Sequence, residues 1–233
     1  MVATTAMAKS AGTSPVTRSF GVATSIFLPH SLLGRIYFGI FASTALTYVL
    51  FQKKLLPKPI SKIVSKLFFL PTFPITALMR LGNYWTTIDD TAYLGCAPMA
   101  IANHPAKLHK LGVRGVINMC YEYGGPKEAY AELGMKQLHL PVVDHFEPSV
   151  AQLQEAVAFI QECKQKGQKV YIHCKAGHGR AAAVALSWMM HETPDAGPEE
   201  LNALLRRKRK VRKTLFKQSS IQALYASMQQ GKK

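Results

Sequence analysis

From Lys169 to Ile172 the chain is β-branched and aromatic, and from Ala181 to Met190 it is apolar and alanine-rich; Cys174-Lys175-Ala176-Gly177-His178-Gly179-Arg180 lies between. A buried strand that turns through a short glycine-containing loop into a helix needs an α/β sheet around it. The loop then lies at a helix N-terminus, where unpaired backbone N–H groups and the positive end of the macrodipole favour anions. Gly177 and Gly179 let successive amides turn inward as an anion nest. The same field favours a thiolate over a thiol at Cys174, which makes it an in-line nucleophile toward phosphorus. Arg180 offers a planar fork for two phosphoryl oxygens. The expected phosphate-binding set is therefore Lys175, Ala176, Gly177, His178, Gly179 and Arg180, around the catalytic pair Cys174 and Arg180.

Strand and helix patterns alternate from Asp89 onward. Short strands are expected at 92–94, 115–119, 136–140 and 169–172, with helices near 105–111, 126–133, 150–166, 180–191, 198–208 and 219–229. The fold class that follows is α/β, a central mainly parallel sheet flanked by helices, with an N-terminal membrane-associated extension. Ser149 is the natural N-cap of the 150–166 helix and Gly167 its C-cap. The chemical loop would occupy the C-terminal end of its strand, where open α/β sheets bind ligands.

The Cys-x5-Arg loop resembles the signature of the cysteine-dependent protein tyrosine and dual-specificity phosphatase superfamily. Further segments narrow the resemblance: Asn83-Tyr84-Trp85 through Asp89, Tyr93-Leu94-Gly95-Cys96-Ala97-Pro98, 112–119 and Glu122-Tyr123 are similar to the mitochondrial group that dephosphorylates phosphatidylglycerophosphate. The similarity runs from about Asn83 to about Tyr225 and implies a dual-specificity phosphatase-like fold and hydrolysis through a phosphocysteine. An alkoxide leaving group must be protonated as its P–O bond breaks. Asp144, on a Pro-bounded loop thirty residues before Cys174, is the expected acid, with Glu147 second. His173 is expected to orient the loop by hydrogen bonding. Lys175 and His178 inside the loop resemble lipid-directed members. One departure stands out: the superfamily usually has Ser or Thr after the loop arginine, and this chain has Ala181.

Charge divides the chain. Residues 1–88 hold nine Lys or Arg and no acid, whereas the remainder holds twenty basic and thirteen acidic residues. The expected divisions are 1–35, an organelle-targeting segment or a disordered tail; 36–52, a transmembrane or re-entrant segment; 53–82, a basic amphipathic linker; and 83–233, the phosphatase domain. Residues 36–51 are uncharged and as a helix would span roughly 24 Å, extended by snorkelling of Arg35 and Lys53 toward the ~30 Å of a hydrocarbon core. Lysines crowding its C-terminal flank favour a catalytic domain in the matrix, stroma or cytosol. Pro57, Pro59, Pro71 and Pro74 are expected to limit any helix in the linker.

Arg206 to Lys213 has seven basic residues in eight positions, read as a lipid-facing surface in preference to a nucleic-acid site, since no aromatic stacking platform accompanies it. Four cysteines give neither a disulfide framework nor metal-ligand spacing. No metal and no cofactor are expected, and the chain is expected to be monomeric. Partners would be a phosphorylated lipid or protein substrate and an anionic membrane, with the mitochondrial inner membrane facing the matrix as first location and plastid or endomembrane as alternatives. The alternatives to lipid phosphatase are a dual-specificity protein phosphatase and a slow or noncatalytic phospho-binding module.

Overall fold

The computed structural model describes residues 31–230; the expected targeting segment therefore lies almost wholly outside the described residues. The helices are α1 (Leu32–Gln52), α2 (Lys58–Leu78), α3 (His104–Lys110), α4 (Lys127–Glu132), α5 (Val150–Gln165), α6 (Arg180–Glu192), α7 (Pro198–Lys208) and α8 (Ser219–Gln230). The strands are β1 (Trp85–Thr87), β2 (Ala92–Gly95), β3 (Val113–Cys120), β4 (Lys136–Val142) and β5 (Lys169–His173). They form one sheet in the order β1-β2-β5-β3-β4, parallel except for the β1–β2 pair. This is the α/β class expected, with one short antiparallel edge strand added.

Side-chain alternation along β5 builds both layers. Val170 and Ile172 face a core shared with α5, α6, α7 and α8, where Leu153, Ile160, Leu186 and Leu205 are fully buried. Tyr171 faces the other way, into a smaller core with Leu108 of α3 and Tyr130 of α4. Because β2, β3, β4 and β5 run parallel, their C-terminal ends share one edge, and the segments after Gly95, Cys120, Val142 and His173 converge there. Ser149 caps α5 in a full capping box with Gln152, and Gly167 takes the left-handed conformation (φ +64°) just beyond it, as expected.

The chain divides into a unit ending at Ser43 and a compact unit beginning at Thr44. Helix α1 is long and apolar enough to cross a membrane, and Leu33, Ile36, Tyr37 and Phe41 along it are exposed. The prolines do not limit α2, which runs 21 residues through Pro71 and Pro74. Each proline removes an N–H and strands the carbonyl four residues back, at Leu67 and Leu70, and both residues are exposed. Thr72 and Thr76 donate their hydroxyls to the carbonyls of Phe68 and Thr72 in the same turns. Against a cost of about 3 kcal/mol per proline, Val64, Phe69, Phe73 and Ala77 are buried, the last three in a cluster with Tyr84, Cys96 and Ala97. A Phe buried in this way contributes roughly 1.5–3 kcal/mol. The segment 53–82 thus marks a change in composition, while α2 is packed into the compact unit.

Candidate active site

Cys174 follows β5 directly and is buried, and α6 starts at Arg180. Gly177 has φ +63°, and a Cβ there would come within 2.5 Å of the Gly95 carbonyl oxygen, so the loop admits only glycine at that position. Behind the loop lies Arg209. Its guanidinium is buried and donates to the carbonyls of Ala176 and Gly177, each at 3.2 Å, and to that of Asn83 at 2.8 Å. In a trans peptide the carbonyl and the next N–H point in opposite directions. Capture of those two carbonyls therefore turns the Gly177 and His178 amides away from Arg209, toward the cleft on the opposite side of the loop. The sequence pattern places Arg209 in a lipid-facing basic run; the structure corrects this, because the chain is extended at Arg209 (φ −149°, ψ 144°) and buries Arg209 and Val211 alternately while Lys210 stays exposed.

Arg180 is as deeply enclosed, its side chain 2% exposed. Both terminal nitrogens pair with Glu122, Nη1 to Oε2 at 2.8 Å and Nη2 to Oε1 at 2.7 Å. Nη1 also donates to the Val142 carbonyl at 2.7 Å, and Nη2 lies 3.0 Å from Asp144 Oδ1. Burial opposes the charge on Arg180, but Asp144 and Glu122 more than offset it and hold its pKa well above the usual value. A guanidinium has five N–H groups, and these contacts occupy the four terminal ones. The end of the fork belongs to Glu122. What remains for a phosphoryl group is the side edge, Nε together with the Nη2 hydrogen now on Asp144.

Asp144 lies just past β4, and its carboxylate also accepts from the His145 amide at 3.0 Å. Burial raises its pKa, yet Arg180, His145 and Lys175 outweigh that and hold the carboxyl below its ordinary range. His145 itself has φ +67°, a left-handed conformation that is strained for a side chain of this size, and Phe51 packs edge-on against its ring at 5.1 Å.

An open cleft of about 650 Å³ joins these groups. Cys174, Lys175, Ala176, His178, Gly179, Arg180 and Asp144 all line it, whereas Gly177 supports it from behind and Glu147 is not part of its wall. Lys175 turns its ammonium away to Thr72 of α2, and burial lowers its pKa. Burial likewise lowers that of His178, whose Nδ1 bonds the Lys210 carbonyl at 3.1 Å. Four contributors were not singled out from sequence: Glu122, Tyr48 at the end of α1, Thr76 of α2 and Arg212. Ser65 of α2 donates to Glu122 at 3.2 Å, so α2 braces the arginine pair as well as walling the cleft. Among the described residues no three His, Cys, Asp or Glu side chains form a metal-holding group.

His173 is fully buried, its ring stacked on Tyr171 at 5.7 Å and beside the Cys174 backbone, with no well-formed hydrogen bond to either nitrogen. Stacking holds the ring beside the phosphate loop, with a backbone contact at Cys174. Burial lowers its pKa to about 3. Between pH 6.5 and 3 the unfolded chain therefore binds a proton here that the folded chain does not, so stability is full above pH 6.5 and falls on acidification. His173→Asn is expected to make the stability–pH slope shallower by about 1.4 kcal/mol per pH unit in that window. Denaturant unfolding at pH 6.5, 5.5 and 4.5 measures it, and an unchanged slope would contradict a neutral buried ring.

Residues 92–226, more than half of the chain, match the dual specificity phosphatase catalytic domain. The chain belongs to that family. Phosphatidylglycerophosphate phosphatase PTPMT2 of Arabidopsis thaliana is 36% identical over 111 residues, 46% of this chain and 48% of the relative, so the match spans about half of that protein. Phosphatidylglycerophosphatase and protein-tyrosine phosphatase 1 of Rattus norvegicus is 31% identical over 149 residues, 59% of this chain and 76% of the relative. The crystal structure of PTPMT1 in complex with PI(5)P superposes with a TM-score of 0.58 at 25% identity, covering 65% of this chain and all of that one. Family and fold thus agree with the loop and sheet described above.

Proposed function

We propose that this chain is a metal-independent phosphatase that hydrolyses a phosphomonoester on a membrane phospholipid, such as phosphatidylglycerophosphate or a phosphoinositide, through a phosphocysteine. The observation that carries the lipid reading is the cleft wall. Tyr48, from the end of the helix apolar enough to cross a membrane, and Thr76 of α2 both line it, while Ile60, Ile63, Leu67, Leu70 and Ile75 leave the outer side of α2 apolar and exposed. Lys53, Lys54, Lys58, Lys62 and Lys66 precede or interleave with these residues with no acid nearby in sequence, which suits an anionic bilayer, although Lys62 and Lys66 also reach over the Tyr121 ring. The names of the Arabidopsis and rat relatives, and the PI(5)P bound to PTPMT1, point to the same substrates. In this reading residues 1–35 target the chain, 36–52 anchor it, 53–82 lie on the membrane and 83–233 carry out catalysis, with the inner mitochondrial membrane, matrix side, as the proposed location.

The phosphoryl group enters the loop and takes Nε and Nη2 of Arg180, displacing Asp144. Cys174 Sγ attacks phosphorus, the P–O bond to the lipid alcohol breaks, and Asp144 gives its proton to the departing oxygen. Asp144, now a carboxylate, takes a proton from the water that attacks the phosphocysteine. The P–S bond breaks, and inorganic phosphate and the thiolate are released. A negative phosphoryl group beside Asp144 raises its pKa toward that of a working acid.

The test is phosphate release by the full chain in mixed micelles from phosphatidylglycerophosphate, phosphoinositides and a phosphotyrosine peptide, with Cys174→Ser as blank. Cysteine-dependent release favouring a lipid is expected. Preference for the peptide would make this a protein phosphatase, and release that survives Cys174→Ser would end the cysteine mechanism.

Ala181 is fully buried beside the nucleophile, where the resemblance places a hydroxyl that steadies the departing thiolate. Breakdown of the phosphocysteine is therefore expected to be slow, with a burst of product before the steady state. A hydrogen bond to a charged sulfur contributes about 1.5–3 kcal/mol. Ala181→Ser is thus expected to raise the steady-state rate roughly ten- to a hundredfold and remove the burst; rapid-quench kinetics would refute this if the two proteins gave the same burst and rate.

A further inference from the structure

A second cleft, of about 1020 Å³, adjoins the catalytic one and shares His178 and Arg212 with it. Arg206, Lys210, Arg212 and Lys213 supply its wall with four permanent positive charges, and no acidic residue lines it. Among the described residues, Lys164, Lys166, Arg180 and two histidines make ion pairs, and none of these pairs involves the four cations of this cleft. Asp144 in the catalytic cleft and Glu122 behind it are also committed, since both pair with Arg180.

The backbone at Arg212 is also held in place. Its amide donates to the His178 carbonyl at 3.0 Å, and the Lys210 carbonyl receives both His178 Nδ1 at 3.1 Å and Arg80 Nη2 at 3.2 Å. The guanidinium lies over Gly179, with Nη2 3.6 Å from where a Cβ on that glycine would be. A guanidinium on a backbone tied to the phosphate loop therefore stands over Gly179, beside a basic cleft.

Resting on the lipid-phosphatase reading, we propose that Arg212, with Lys210 and Lys213, forms a subsite for a second phosphate of the same substrate. The substrate class is then a headgroup with a terminal phosphomonoester for Cys174 and Arg180 and, a few bonds away, the phosphodiester that joins it to the lipid. Lipids with a single phosphate, such as phosphatidic acid, present only the first of these groups. The discrimination comes from a planar cation carried by backbone that is tied to the phosphate loop, beside the reacting phosphorus.

The test uses the full chain in neutral detergent and reads two substrate pairs. With p-nitrophenyl phosphate as reporter, inhibition by propane-1,3-diol bisphosphate is compared with inhibition by glycerol 1-phosphate. With lipids, kcat/KM on phosphatidylglycerophosphate is compared with that on phosphatidic acid. The two-phosphate member is expected to win by about tenfold or more in each pair, as one charge-assisted hydrogen-bonded contact would give, and the advantage is expected to shrink to near unity in Arg212→Gln and to return in part in Arg212→Lys. Thermal melting checks that the variants are folded, and Lys210→Gln with Lys213→Gln provides a second variant on exposed positions. Equal inhibition by the soluble pair, or an advantage untouched by Arg212→Gln, overturns the subsite. Discrimination in the soluble pair alone overturns its assignment to a lipid headgroup. Because the inhibition arm reads an aryl phosphate, it decides the subsite even if no lipid is hydrolysed, which is the separate failure of the lipid reading.

Discussion

Replacing Glu122 with alanine is expected to cost about 3–5 kcal/mol of unfolding free energy and to lower turnover at least about a hundredfold. The side chains of Glu122 and Arg180 are 1% and 2% exposed, so removal of the carboxylate leaves a buried guanidinium facing two vacated hydrogen-bond positions. Asp144 is the remaining acid in reach, at 3.0 Å from Nη2. In the variant it would be drawn further onto Arg180, so the side edge that should receive phosphate is blocked and the proton donor is sequestered. Glu122→Gln is expected to be nearly as damaging, because its NH2 group would face a donor. Urea unfolding and steady-state kinetics measure the two effects; a variant with the original midpoint and rate would show that Arg180 does not depend on this pair. The same argument gives α2 a catalytic consequence, since its Ser65 donates to Glu122.

How much of this was legible in the sequence depends on whether the signal was local. The Cys174–Arg180 loop is a strand, a turn and a helix in one stretch, and it appears in the structure with its boundaries within a residue. The Ser149 cap, the Gly167 cap and the later strands are equally local. Strand β1 has three residues, too few for an alternation to register. Helix α2 contradicts a local rule at Pro71 and Pro74, and only tertiary burial of Phe69 and Phe73 explains why it persists. Glu122 belongs to the Glu122-Tyr123 pair that carries part of the resemblance, but no role came with it; it sits two residues beyond β3, at the sheet edge that also holds the phosphate loop, and strand-end position was the signal for its role. Arg209 and Arg212 were hidden by their neighbours. A run of seven basic residues reads as solvated charge, and nothing in composition says that the chain leaves α7 at Lys208 and continues extended, which turns Arg209 inward and sets Arg212 at the cleft.

Asp144→Asn is expected to separate substrates by their leaving groups. An alkyl phosphate, including any phospholipid monoester, departs as an alkoxide that needs a proton, whereas p-nitrophenolate departs unaided. General acid catalysis contributes roughly 10²–10⁴-fold, so in the burst, which reads phosphocysteine formation, the variant should lose about that much on glycerol phosphate or lipid and far less on p-nitrophenyl phosphate. The geometry adds a pH signature. Burial raises the Asp144 pKa, but Arg180, His145 and Lys175 hold it below the ordinary range in the free enzyme, so the carboxyl is ionised there at neutral pH. Bound phosphate removes the Arg180 contact and adds a like charge, both of which raise the pKa. The acid is therefore made by substrate binding, and the burst rate on an alkyl phosphate should fall on the alkaline side as that raised pKa is passed, while the Asp144→Asn variant loses this limb. Equal losses of burst rate on both substrates, or an alkaline limb that survives the substitution, would assign the proton to another group. Glu147 is the poorer choice for it, because Asp144 lines the cleft beside Cys174 and Glu147 does not.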